Sequence, residues 1–396
     1  MDLKEASLKM HREKNGKLEV RSKVKVENQQ DLSLAYTPGV AYVCKEIQAD
    51  PEKAYEYTSK SNMVAVISDG SAVLGLGNIG PYGAIPVMEG KSILMKELAG
   101  VDSIPLCLAT QDVEEIIKTC KILEPTLGAI NLEDISAPRC VEIERRLIKE
   151  MNIPVFHDDQ HGTSIIVAAA FMNVARLTGR KLSDMTVVMS GTGAAGSMIA
   201  KMLKKIGVGT IYASDITGVI DVKKYDSYNF LIKELLDEGT YSTPANHDGT
   251  LASILKGADA FIGVSAPNLV SKEMVKSMND GAIVFAMANP VPEISYDDAK
   301  EAGAYIVGSG RSDYPNQINN VLAFPGLFKG ALSVRASKIN EEMKIAAAEA
   351  LANVVTDEEL SKDNIVPGAF DKRVVPAVSK AVAEAAIRTG VAKITK

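Results

Sequence analysis

Short apolar runs and longer amphipathic stretches alternate along this chain almost from end to end. In a first block, up to about Gln160, the strand-like runs are MVAVISDG (63–70), SIPLCLA (103–109), GAINLED (128–134) and IPVFHDD (153–159). VLGLGNIG (73–80) follows the first of them. Helical spacing of apolar residues appears near 91–99, over 112–123 and over 137–151. A long apolar helix over 161–179 leads into a second block. There the strand runs are 186–190, 210–215, 260–265, 282–290 and 304–310. Helices are expected over 194–206, 251–258, 271–278 and 295–303, with a polar loop between 215 and 251. From about Asn320 the chain is Ala-rich with helical periodicity. Strand–helix alternation of this kind predicts two α/β blocks with parallel sheets.

Composition narrows the function. The 396 residues are 46% hydrophobic and 24% charged, an ordinary globular balance. The net charge is −6 and no long block of like charge occurs, so nucleic acid is not an expected partner. No apolar run reaches the roughly 18–20 residues of a membrane span. The polar N-terminus lacks the apolar stretch of a secretory signal. Cys44, Cys107, Cys120 and Cys140 form no CxxC pair and read as reduced core thiols of a cytoplasmic protein. Only His11, His157, His161 and His247 are present, so any metal site must be built from carboxylates.

Gly191-Thr192-Gly193-Ala194-Ala195-Gly196 follows a Val-rich strand and opens a helix, and Asp215 ends the next strand. That context turns a common glycine pattern into a dinucleotide fingerprint and predicts a Rossmann-type doubly wound sheet in the second block. Gly191 permits the turn, Gly193 admits a pyrophosphate, and Gly196 allows close helix–strand packing. The helix N-terminus supplies N–H donors for the phosphates. Asp215 suits a ribose diol and would repel a 2′-phosphate, which favours NAD; Lys223 and Lys224 leave NADP open.

Glu133-Asp134 and Asp158-Asp159 end consecutive strands joined by one helix. Such a crossover makes the strands parallel, so both pairs reach the same sheet edge, roughly 4.8 Å apart. Acids so placed repel one another unless a cation lies among them. Hard oxygen donors suit Mg²⁺ or Mn²⁺ better than Zn²⁺. A lone Asp pair would read as a turn or helix cap; two pairs favour a metal. His157 and His161 stay outside this donor set, His157 being expected to pack within the sheet.

These motifs resemble the malic enzymes of the short bacterial type. The resemblance is carried by Tyr36-Thr37-Pro38-Gly39-Val40, Ser68-Asp69-Gly70, Leu74-Gly75-Leu76-Gly77-Asn78 and Glu89-Gly90-Lys91. It continues through Leu132-Glu133-Asp134-Ile135, Phe156–Thr163, Ala288-Asn289-Pro290, Asn319-Asn320-Val321 and Phe324-Pro325-Gly326. It implies oxidation of L-malate with NAD(P) and decarboxylation to pyruvate and CO₂. Glu133, Asp134 and Asp159 match the family's metal ligands, with Asp158 behind them. Lys91 matches the base and Tyr36 the proton donor. Asn289 and Asn320 match substrate-touching positions, and Asn289 also borders the cofactor. A lysine serves as base near neutral pH when burial or a cation lowers its pKa, and this site is expected to supply both.

The longer eukaryotic members carry an arginine where Ser71-Ala72-Val73 stands here. The two asparagines and main-chain N–H groups of Leu76–Gly80 are then left to hold malate's distal carboxylate. The tail must return to the first block for Asn320 to reach substrate. The expected domains are therefore 1–160 with 320–396, carrying the metal and catalytic residues, and 161–319, binding NAD(P). The resemblance also implies a homodimer, with Tyr36 given across an interface built from the N-terminal helix and apolar tail faces, and a chain without the acyltransferase-like extension of some bacterial relatives. The alternatives are a non-decarboxylating NAD-dependent hydroxy-acid or amino-acid dehydrogenase, a metal-dependent oxaloacetate decarboxylase, and a non-enzymatic NAD-binding regulatory module.

Overall fold

Two parallel sheets form the frame, in a computed structural model that describes residues 2–395. The first sheet contains β1 (Met63–Ser68), β2 (Asp102–Cys107), β3 (Ala129–Leu132) and β4 (Val155–His157), in the order β2-β1-β3-β4. The second contains β5 (Thr186–Ser190), β6 (Thr210–Asp215), β7 (Gly218–Val219), β8 (Ala260–Gly263), β9 (Ile283–Ala286) and β10 (Ile306–Ser309). Its order is β10-β9-β8-β5-β6-β7, and only the β6–β7 pair is antiparallel. The order reverses between β8 and β5, which puts the ligand crevice at their carboxyl ends. The central strands are apolar at nearly every position because helices cover both faces.

Helices α1 (Leu3–Lys14), α2 (Gln29–Ala35), α3 (Val40–Ala49) and α4 (Ala54–Tyr57) precede the first sheet. Its crossovers are α5 (Gly80–Ala99), α6 (Val113–Leu123) and α7 (Arg139–Glu150). The long α8 (Asp158–Thr178) leads to the second sheet. That sheet carries α9 (Ala194–Lys205), α10 (Phe230–Asp237), α11 (Leu251–Leu255), α12 (Lys272–Lys276) and α13 (Tyr296–Glu301). The tail forms α14 (Phe324–Ser333), α15 (Glu341–Val354) and α16 (Val374–Arg388). One continuous apolar core runs from β1–β4 through α8 to α14–α16, and a smaller one lies under β8–β10.

Several sequence expectations need correction. Helix α5 begins at Gly80, so Lys91 sits in mid-helix rather than at a start. Its Gly- and Pro-rich first half reads locally as a breaker, yet Pro81 fits a helix's first turn and packing against β1 and β2 supplies the rest. Strand β4 stops at His157, and Asp158 and Asp159 form the first turn of α8, where acids favour the helix dipole. The polar stretch after Asp215 holds β7 and α10, the latter capped by Asn229. Cys120 and Cys140 are buried and Cys107 half-buried, but Cys44 is exposed; all four are free. The tail's apolar faces lie mostly in the core, against α5 and α8, and so leave little for an interface. No helix among the described residues is long and apolar enough to cross a membrane.

Candidate active site

The carboxyl ends of β3 and β4 deliver the acids. Glu133, Asp134 and Asp159 each place a carboxylate oxygen within 4.8 Å of the others. Glu133 and Asp134 are buried and Asp159 is half-buried. The backbone at Asp134 turns through φ +53°, a conformation costly for a non-glycine residue. It is held from both sides: Asp159 Oδ2 accepts the Asp134 N–H at 2.7 Å, and the Asp134 carbonyl accepts the Ala72 N–H at 2.9 Å. Asn131 Nδ2 donates to Glu133 Oε2 at 2.8 Å and fixes that carboxylate's rotation.

Lys91 enters this cluster from α5. Its ammonium lies 3.0 Å from Glu133 Oε1 and is bonded to Asp158 Oδ2. The buried ring of Phe324, on α14, covers it at 4.7 Å. Burial pulls the Lys91 pKa down, but Asp158, Glu133 and Asp159 outweigh burial and raise it. Burial also pushes the Glu133 carboxyl well above the usual range, with Asp159, Asp158 and Asp134 adding to the shift and Lys91 opposing it. The pocket is buried and holds more negative than positive charge. Such a pocket fits a divalent cation, and its all-oxygen donors suit Mg²⁺ or Mn²⁺.

Gly162, in the first turns of α8, sets how closely the parts approach. An added Cβ would overlap Asp158 Oδ1 and lie 2.8 Å from Asn320 Cβ. Asn320 therefore rests on α8 directly beside the acids. Asp158 Oδ1 itself is buried with no hydrogen-bond partner among the described residues.

At the second sheet, Gly191 takes φ +104° and its N–H donates to the Ser214 carbonyl at 2.8 Å. A Cβ on Gly196 would overlap the Gly191 carbonyl, so that glycine is required by the turn. A Cβ on Gly193 would meet nothing within 4 Å, so that glycine faces open space of the kind a pyrophosphate fills. Helix α9, opened by Ala194 and Ala195, has no side-chain cap. Asp215 accepts from Thr192 Oγ1 at 3.1 Å and from the Thr217 N–H at 2.7 Å, which fixes its carboxylate at the end of β6.

Asn289 is exposed at the end of β9, its side chain close to Gly310 and its carbonyl against Gly75 of the 73–80 loop. The two sheets' loops meet there. Glu293, which sequence reasoning missed, braces this edge by accepting the Ala288 N–H at 3.1 Å and the Ser265 N–H at 2.8 Å. Of the main-chain donors expected to bind a carboxylate, Leu76 is spent on the Val73 carbonyl, and Ile79 and Gly80 on Gly70. Tyr36 lies outside the buried cluster: it is 63% exposed at the end of α2, on an arm whose helices α1–α3 bury no side chain. Gly162 and Phe324 stood in motifs without an assigned role and Asn131 was missed, because their roles come from contacts across elements.

Fold and site together define an α/β chain with three converging carboxylates at the edge of one sheet and a glycine turn that opens a helix at the other. Residues 15–148 match the family described as malic enzyme, N-terminal domain, and residues 160–391 match malic enzyme, NAD binding domain. The chain belongs to the malic enzyme family. It is 56% identical over 395 residues to the bifunctional malic/malolactic enzyme of Bacillus subtilis (strain 168), covering 100% of this chain and 96% of that protein. It is 53% identical over 378 residues to the NAD-dependent malic enzyme of Geobacillus stearothermophilus, covering 96% of this chain and 78% of the other. The crystal structure of NAD-dependent malic enzyme from Thermotoga maritima superposes with a TM-score of 0.90 at 48% identity, over 97% of this chain and 99% of that one.

Proposed function

We propose that this chain carries out the divalent-metal-dependent oxidative decarboxylation of L-malate to pyruvate and CO₂, with reduction of NAD, NADP being the alternative acceptor. The observation that carries this reading is the convergence of Glu133, Asp134 and Asp159 around Lys91, in a chain that also holds a dinucleotide turn. Glu133, Asp134 and Asp159 would hold Mg²⁺ or Mn²⁺, which when bound supplies Lewis acidity toward the substrate's oxygens. Gly191–Gly196 and Asp215 would hold the dinucleotide, which supplies the hydride acceptor.

Lys91 takes the proton of the C2 hydroxyl. A cation held by the three acids would offset the negative field that raises the Lys91 pKa and would bring it down. Asn289 and Asn320 orient the substrate, Asn320 being held beside the acids by its seat on Gly162. Phe324 keeps water from the inner side of Lys91. After CO₂ departs, Tyr36 gives a proton to C3. The exposed position of Tyr36 supports its donation across a homodimer interface. Leu3, Leu8, Leu32, Leu34 and Tyr42 on the same arm are exposed apolar residues that such an interface would cover. The division into 1–160 with 320–396 and 161–319 is supported by the contact of α14 with α5 and of Phe324 with Lys91. The four free thiols support a cytoplasmic setting.

The test is a spectrophotometric assay of L-malate with NAD or NADP, with and without Mn²⁺, with EDTA controls and parallel CO₂ measurement. Equal NADH and CO₂, lost with EDTA, is the expected result. NADH without CO₂ would make the protein a plain dehydrogenase, and oxaloacetate turnover without NAD a decarboxylase. Lactate with CO₂ in excess of NADH would add the malolactic activity named for the Bacillus subtilis relative. Lys91→Ala should purify folded with turnover nearly abolished; a near-normal rate would rule out its role as base.

A further inference from the structure

A second group of charges lies behind the acids, and the reaction above does not use it. Glu144 is on the inner face of α7 among Cys140, Val141, Ile143 and Leu147, and is 3% exposed. A carboxylate on an apolar helix face is costly unless every lone pair is well used. Here Oε1 accepts the His157 main-chain N–H at 2.8 Å, and Oε2 faces His161 Nε2 at 2.9 Å. Between those two anchor points lie Asp158, which holds Lys91, and Asp159, one of the three converging acids. One carboxylate thus grips the segment on both sides of the pair.

The grip extends to the tail. Lys344, on α15, is also 3% exposed, and its ammonium lies 3.1 Å from His161 Nδ1 and 3.2 Å from Nε2. An ammonium can only donate and a carboxylate can only accept, so Nε2 carries the proton toward Glu144 and Nδ1 accepts from Lys344. Lys344 is paired in turn with Glu341 at 2.9 Å, and Glu341 with Lys205 on α9. Burial opposes the charge on Glu144, but His161, Lys344 and His157 hold its carboxyl down at about 2. The line Lys344–His161–Glu144 therefore runs from the C-terminal tail to the backbone that carries the acids.

We propose that Glu144 and Lys344 are positioning residues for the divalent-cation site: through His161 and the His157 backbone they fix Asp158 and Asp159 in the geometry that a cation requires. The inference rests on the cation site proposed above. Groups that orient metal ligands typically matter about 10–100-fold in metal affinity.

The test is Mn²⁺ affinity by electron paramagnetic resonance of free Mn²⁺ on the full-length protein, with NADH binding by fluorescence as the parallel readout. In Glu144→Gln the amide can serve only one of its two neighbours and turns a donor toward the other. Its Mn²⁺ Kd should rise about 10–100-fold while NADH affinity is unchanged. Lys344→Met removes the far end of the line and should shift Mn²⁺ affinity in the same direction by less. If Glu144→Gln does not fold, Lys344→Met decides alone. A folded Glu144→Gln or Lys344→Met with wild-type Mn²⁺ affinity overturns the inference. So does an equal weakening of Mn²⁺ and NADH, which would mark a merely structural role. Wild-type protein that binds no Mn²⁺ would remove the cation site itself, a failure distinct from the first two.

Discussion

Gly162→Ala tests how tightly the site is assembled. Alanine gains about 1 kcal/mol of helix propensity over glycine, so in an open helix the change would stabilise. Here the new Cβ would overlap Asp158 Oδ1 and sit 2.8 Å from Asn320 Cβ. Asp158 must swing away, and with it the oxygen bonded to Lys91. Opening a buried ion pair costs about 3–5 kcal/mol. The net loss should be about 2–4 kcal/mol, read from urea unfolding followed by circular dichroism. Asn320 is displaced in the same step, so KM for malate should rise by about tenfold or more, equivalent to about 1.4 kcal/mol of binding per decade. KM for NAD should not move. A variant with wild-type stability and unchanged malate KM would show that Asp158 and Asn320 are not locked together through this glycine, and the packing argument would fail.

Three further outcomes follow from the same geometry. Gly193→Ala should leave stability unchanged and weaken dinucleotide binding, whereas Gly196→Ala should destabilise the fold; equal effects in unfolding and titration experiments would contradict the assignment of open space to the ligand. Tyr36→Phe should slow solvent-isotope incorporation at C3 of pyruvate more than hydride transfer, and a selective loss of hydride transfer would refute its role as proton donor. Arg145, then Lys201, holds the Glu234 carboxyl down at about 2, while an unfolded glutamate titrates near about 4.3. That depressed value contributes stability above about pH 4.3 that is lost as pH falls toward 2. Urea midpoints of Glu234→Gln should therefore fall less than those of wild type between pH 6 and pH 3, and identical slopes would sink the argument.

Much of the fold was readable because parallel α/β chains write their strands as continuous apolar runs and their helices with period 3.6. The runs at 186–190 and 210–215 became strands with those bounds. The glycine turn and the acid pairs were legible for a different reason: each depends on residues adjacent in sequence. Helix starts were less legible. Gly80–Gly90 looks like a breaker locally, and only the sheet beneath it makes it helical. Asp158 and Asp159 read as strand ends because the switch from β4 to α8 has no loop between them.

Sequence alone determined the two-sheet class, the dinucleotide turn and which acids gather at one sheet edge, since neighbouring parallel strands must present their carboxyl ends together. Only the tertiary structure decided that Lys91 is buried and charged between Glu133 and Asp158, that Phe324 from the distant tail covers it, and that Glu144 and Lys344 brace the acids from behind. Those relations join residues tens to hundreds of positions apart. They exist only once packing brings the helices together, and no local spacing encodes them.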